Sequence, residues 1–190
     1  YEPDVTAPSV MLVGSGYVRT GLGMSFTDDG ATYTDNVDPA GTIANYNSGM
    51  LDTGTLGTYT IGYVYVDSSG NTGSTDRTVE VVDMTPPNLT LSGANPATVV
   101  VGNSFIDDGA TYTDNVDAPG FVALYSSGML DTSNTGSYTI TYLHADAAGN
   151  TGSMDRIVNV IGAPDVTPPN VLLYGTAALT VEYGSVYSDS

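Results

Sequence analysis

The chain contains no cysteine, lysine, glutamine or tryptophan, and only one histidine, His144. Each absence closes a route. Without cysteine, no disulfide can staple a small domain. Without lysine or glutamine, neither a lysine isopeptide nor a threonine–glutamine ester can substitute for one. With one histidine and no cysteine or lysine, a nucleophile–base pair is hard to assemble. No stretch approaches the ~20 apolar residues of a membrane-spanning helix. Positive charge is nearly missing: Arg19, Arg77 and Arg156 stand against 21 acidic residues, a formal net charge of −18. Such a chain has nothing with which to neutralise nucleic-acid phosphates or approach an anionic membrane.

What is present is repetition. The string DDGATYTDNVD occupies residues 28–38 and returns unchanged at residues 107–117. The same shift of 79 carries Asp52 onto Asp131, Tyr59 onto Tyr138, Asp67 onto Asp146, Asn71 onto Asn150 and Arg77 onto Arg156. A third copy begins at Asp165-Val-Thr-Pro-Pro-Asn, an echo of Asp83-Met-Thr-Pro-Pro-Asn at a shift of 82, which also maps Gly102 onto Gly184 and Asp107 onto Asp189. The expected organisation is the tail of an earlier unit at 1–3, one repeat at 4–82, a second at 83–164, and the start of a third at 165–190. The chain then reads as a window on a longer array, in which each period is one small domain.

Helical periodicity is absent and strand signals recur. Tyr138, Ile140, Tyr142 and His144 alternate onto one face, as do Tyr59, Ile61, Tyr63 and Tyr65. Short runs of Thr, Val, Ile and Tyr lie between clusters of Gly, Asn, Asp and Pro, which reads as an all-β sandwich in each repeat. In the second unit the strands are expected at 89–91, 99–101, 104–113, 121–125, 137–145 and 154–161. Asp52 and Asp131, and the pairs Asp28/Asp29 and Asp107/Asp108 before glycine, read as turn formers that bond their own backbone. Arg77 and Arg156 follow acids, but neighbouring strand residues face opposite ways. Each arginine is therefore expected to pair with a different carboxylate or to lie over a tyrosine.

In order along the chain come D-x-T-P-P, V-x-x-G-x-x-[FY]-x-D-x-G-A, D-N-x-D, G-x-Y-x-[IV]-x-Y, D-x-x-G-N and R-x-V-x-V. This set resembles the bacterial immunoglobulin-like repeats of large cell-surface proteins, adhesins, surface-layer proteins and extracellular filaments. The approach to Tyr138 resembles the tyrosine corner of immunoglobulin-like domains, with Ile61 and Ile140 standing where antibody domains place cysteine. The resemblance implies tandem immunoglobulin-like sandwiches outside the cell. It leaves function open, since one module serves many surface proteins.

In an immunoglobulin-type sandwich the start of the first strand shares an end with two loops. Those places hold Asp83, Asp114, Asp117, Asp146 and Asn150 in the second unit, and Asp4, Asp35, Asp38, Asp67 and Asn71 in the first. Asp165 opens the same set for the third. Eighteen of the acids are Asp and three are Glu, and short carboxylates suit turns and cation-binding loops alike. Converging carboxylates and an amide oxygen approach the six to eight oxygens that Ca²⁺ prefers. With other staples excluded, Ca²⁺ at the stiff Thr-Pro-Pro linkers is expected to lock unit to unit. The competing reading is turn chemistry alone, with no metal.

The expected function is a non-enzymatic stalk, adhesin or filament module, whose partners are neighbouring repeats and identical subunits. A carbohydrate or surface ligand held by exposed tyrosines is the alternative. His144 aligns with Tyr65, so its position accepts an aromatic and carries no repeat-wide chemistry. Asn88-Leu-Thr90 forms an N-glycosylation sequon.

Overall fold

Thr, Val, Ile and Tyr at alternate positions favour extended backbone, and in the computed structural model every regular element among the described residues, 2–172 and 180–186, is a β-strand. The first unit holds β1 (Ser9–Leu12), β2 (Tyr17–Gly21), β3 (Ala31–Thr34), β4 (Gly41–Ile43), β5 (Ser48–Gly49), β6 (Gly57–Val66) and β7 (Thr72–Val82). The second holds β8 (Asn88–Leu91), β9 (Ala97–Val100), β10 (Ala110–Thr113), β11 (Gly120–Val122), β12 (Gly136–Ala145) and β13 (Thr151–Ile161). Sheets of order β1-β3-β4 and β2-β7-β6-β5 build the first unit, and β11-β10-β8 with β12-β13-β9 build the second. Asp165–Leu172 and residues 180–186 carry no strand, and Asp189 of the third copy lies outside the described residues.

The pairing directions fix where the acidic loops fall. β1 runs antiparallel to β3, β6 antiparallel to β7, and β2 parallel to β7. The chain therefore enters a unit at one end, and both β3 and β6 run back to that end. Asp35 and Asp67 immediately follow those two strands. The unit is left at the far end, where β7 stops at Val82 and Asp83 opens the next unit. Head-to-tail stacking follows from strand direction alone.

Each unit closes over inward-facing residues of its sheets. In the second, Leu89, Val99, Ala110, Ile140, Tyr142 and Val158 form the buried core. In the first, Ala31, Ile61, Tyr63, Val79 and Val81 take the same roles. The tyrosine corner is present in both: the Tyr59 hydroxyl donates to the Thr55 carbonyl at 2.9 Å, and Tyr138 to the Asn134 carbonyl at 3.0 Å. Ile61 and Ile140, in the cysteine positions of antibody domains, are fully buried.

Two expected strands are shorter than the sequence pattern indicates. The stretch read as a strand over 104–113 becomes one only at Ala110, and that over 121–125 ends at Val122. Gly109 lies at φ +71, and a Cβ there would sit 2.5 Å from the Val122 carbonyl oxygen. The chain turns inward at this glycine and brings Asp107 under the sheet, where it accepts from the Tyr142 hydroxyl, from Gly109 N at 2.9 Å and from Tyr125 N at 3.2 Å.

Candidate metal centre

Asp4, Asp35 and Asp67 meet at the entry end of the first unit, and Asp83, Asp114 and Asp146 at that of the second. Within each trio, one carboxylate oxygen per residue lies within 4.8 Å of the others. Three elements supply each trio: the linker before the first strand, the loop after the third, and the turn between the last two.

A glycine allows the linker to approach. Gly73 and Gly152, second in β7 and β13, are buried, and a Cβ on either would stand 1.9 Å from the carbonyl oxygen of Pro8 or Pro87. No other residue lets the linker lie flat against that strand. The Asn-Thr-Gly-Ser string shared by residues 71–74 and 150–153 is the sequence signal for this contact, which motif reading alone passes over.

The loops are held open by donors on one side of each carboxylate. Asp114 Oδ1 accepts from Val116 N at 2.9 Å and Asp117 N at 3.0 Å, and Asp35 Oδ2 accepts from Val37 N and Asp38 N at 2.9 and 3.0 Å. The other oxygen of each, Asp114 Oδ2 and Asp35 Oδ1, is buried and receives no hydrogen bond. Backbone donors from Asp117 and Val116, helped by the nearby His144, hold the Asp114 carboxyl below its ordinary pKa against desolvation. Burial works to raise Asp67, but the Asn71 side chain and the backbone of Asn71, Ser69 and Gly70 outweigh it and lower its pKa. Hydrogen bonding thus favours the ionised form of one carboxylate in each trio, and the unanswered oxygens are those of Asp35 and Asp114.

The remaining sequence-derived residues divide by role. Asn71 and Asn150 turn their amide nitrogens to the Asp67 and Asp146 carboxylates at 2.8 and 2.7 Å, and to the Asp4 and Asp83 carbonyls at 3.3 and 3.4 Å. They brace the linker against the turn. Asp38 and Asp117 fasten one loop to the other, accepting from Ser68 N and Ala147 N at 2.6 Å each. They stand outside the trios. Asp165 accepts from Thr167 N at 2.8 Å in its own linker, and no trio forms around it among the described residues.

The other acids behave differently from one another. Asp52 and Asp131 are turn formers, accepting from Gly54 N at 2.8 Å and Ser133 N at 2.9 Å. Asp28, read from sequence as a turn former, also makes a buried ion pair with Arg77 Nη1 at 2.9 Å. Arg77 lies 5.4 Å from the Tyr63 ring centroid, and the Tyr63 hydroxyl donates to the same Asp28 oxygen. In the second unit Arg156 Nε donates to the Tyr142 hydroxyl at 3.0 Å, so the tyrosine stands between arginine and Asp107. Tyr33 stacks on Tyr65 at 3.5 Å, and Tyr112 on His144 at 3.6 Å, so the lone histidine fills an aromatic seat. Tyr17 and Tyr183 are the exposed tyrosines among the described residues. No helix there is long and apolar enough to cross a membrane.

Comparison with known proteins agrees with this architecture. Residues 10–81 and 89–160 each match the family described as bacterial surface protein, Ig-like domain. The chain is 31% identical over 192 residues to a protein named Hyalin from Strongylocentrotus purpuratus, covering 96% of this chain and 16% of that protein. It is 28% identical over 191 residues to Hyalin from Lytechinus variegatus, covering 96% of this chain and 35% of that one. The chain thus spans a small part of the length of both relatives. A crystal structure of a lipoprotein from Bacteroides thetaiotaomicron aligns with 79% of this chain and 98% of its own at 16% identity, with a TM-score of 0.34.

Proposed function

Because the chain belongs to the bacterial surface Ig-like domain family, we propose that it is a non-enzymatic structural module of an extracellular stalk, adhesin or filament whose junctions are stiffened by Ca²⁺. The observation that carries the cation is the buried, unbonded oxygen on Asp35 and again on Asp114, each on a carboxylate that meets two others. A buried anionic oxygen without a donor is costly, and a cation answers it directly.

The donor set is all oxygen, which suits a hard cation rather than a thiophilic or imidazole-seeking metal. Asp83, Asp114 and Asp146 would hold the ion in the second unit, and Asp4, Asp35 and Asp67 in the first, with carbonyls or water completing the shell. Bound there, the ion supplies charge neutralisation and a tie between linker and loops. One ligand of each trio belongs to the linker, so occupancy fixes the angle at which a unit leaves its predecessor. Repeated along a chain, that converts beads on a string into a rod.

Thermal unfolding of the chain in millimolar CaCl₂ and in excess EDTA tests this. The expected result is a higher melting temperature in calcium, with the shift reduced in Asp114→Asn and in Asp35→Asn. Superimposable melts, together with no heat on calorimetric titration of CaCl₂, would overturn the cation reading and leave the aspartates as turn formers.

A further inference from the structure

Two of the three arginines are buried in the cores, so Arg19 is the one arginine left at the surface of a chain carrying −18. Its location is specific. Arg19 lines a cleft of about 400 Å³ where the far end of the first unit meets the entry end of the second. Leu56 and Val82 share its wall, and Val116, Asp117 and Ala147 of the second unit form the wall opposite. Arg19 Nε meets Glu80 at 3.2 Å, which leaves its two terminal nitrogens for another acceptor.

The opposite wall has such an acceptor. In the first unit both oxygens of Asp38 are occupied, Oδ2 by Ser68 N at 2.6 Å and Oδ1 by Ser68 Oγ at 2.7 Å. In the second unit the shift of 79 puts Ala147 in the place of Ser68. Asp117 keeps the backbone donor, Ala147 N at 2.6 Å, but alanine has no hydroxyl for its other oxygen. Arg19 itself maps onto Thr98, so the far end of the second unit does not carry the cation.

From these paired departures we infer that this junction can close an ionic latch: Arg19 of the first unit and the open oxygen of Asp117 in the second line opposite walls of an aliphatic cleft, farther apart than an ion pair in this structure, and they pair when the cleft narrows. The latch needs no metal and uses none of the trio carboxylates, although Asp83 lines the same cleft. It makes this junction stiffer than one built from Thr98 and a serine loop. The pair is solvent-accessible, so its contribution is a bias rather than a lock: roughly a two- to five-fold shift between docked and open populations.

The absence of cysteine makes the test clean. Ser74→Cys and Ser153→Cys, both at exposed strand positions, place one spin label on each unit. Distance distributions are recorded by pulsed dipolar spectroscopy in excess EDTA, on the parent and on Arg19→Thr, Asp117→Asn and the double variant. Asp117→Asn keeps an oxygen for Ala147 N while removing the charge. The expected result is a wider distribution in either single variant, no further widening in the double, and the same widening of the parent at ~1 M salt, where the screening length is ~3 Å. Unchanged distributions in the singles, or additive effects in the double, would overturn the latch. Matched melting curves separate either outcome from misfolding.

Discussion

Arg77 and Arg156 occupy core positions that a leucine could fill, with exposures of 1% and 0%. A guanidinium there is tolerable because most of its hydrogens find acceptors: Arg77 reaches Asp28 and the carbonyls of Val13 and Gly30, with only its Nε unanswered, and Arg156 reaches the carbonyls of Ser92, Ala94 and Gly109 and the Tyr142 hydroxyl. Arg77→Met strands the Asp28 carboxylate beneath the sheet and is expected to cost about 3–5 kcal/mol in denaturant unfolding. Adding Asp28→Asn should recover part of that loss. Tyr142 answers a different variable. Burial and its bond to Asp107 push its pKa up to about 12, and Tyr63 moves in the same direction for the same first cause. The folded state favours the neutral phenol, so this stability is whole below the free-tyrosine value of ~10 and disappears as pH rises through the folded value. Absorbance at alkaline pH should show Tyr63 and Tyr142, along with Tyr65 beside Tyr33 and Tyr17 bonded to Glu80, ionising late, and the loss of the fold should follow the two buried ones. At the acid end the sign reverses: Asp28, Asp67 and Asp114 are lowered, so their contribution is present at neutral pH and is lost as pH falls through their depressed values.

Among elements, the long hairpins were the most legible in sequence. Strands β6 and β12 fall where the period-two tyrosines place them, because one face of each is core and the other is not. Strand β10 was less legible. Phe105 and Ile106 extend its strand pattern backward, yet the Asp107-Asp108-Gly109 turn that follows them ends it, and the burial of Asp107 against Tyr142 is a tertiary demand that no alternation encodes. The trios show the same division. Which carboxylates occupy the entry end could be read from repeat alignment and strand order. That Asp38 and Asp117 fasten loops, while Asn71 and Asn150 brace the linker, depends on which oxygen faces which amide, and spacing does not carry that. Gly152 is the sharpest case, because its importance lies in the Pro87 carbonyl 65 residues earlier. Gly152→Ala must lift the linker off β13. The expected result is a loss of roughly 1–3 kcal/mol from overpacking, measured by denaturant unfolding. A weakened calcium-dependent melting shift should accompany it, since Asp83 moves with the linker.

At the scale of the whole molecule, duplication was the clearest message of the sequence, and the units answer it strand for strand apart from β5, whose counterpart is reduced to the single bridge Ser127–Thr141. The stacking direction was legible once strand order was known, whereas the junction cleft was not, since it joins residues that the repeat alignment treats as unrelated. One pairing has a mechanical outcome. β2 and β7 lie side by side and parallel, with Tyr17 to Gly21 matched against Thr78 to Val82, and β9 and β13 repeat the arrangement. Tension along the array drags the first strand of such a pair backward and the last strand forward. The hydrogen bonds between them are sheared together instead of being peeled one at a time. In an optical-tweezers force ramp, tension through the ends of the chain should break each unit at a higher force than tension applied across β3 and β4, whose bonds open in sequence; equal forces would rule this out. A unit built this way resists most along the axis on which a surface appendage is pulled.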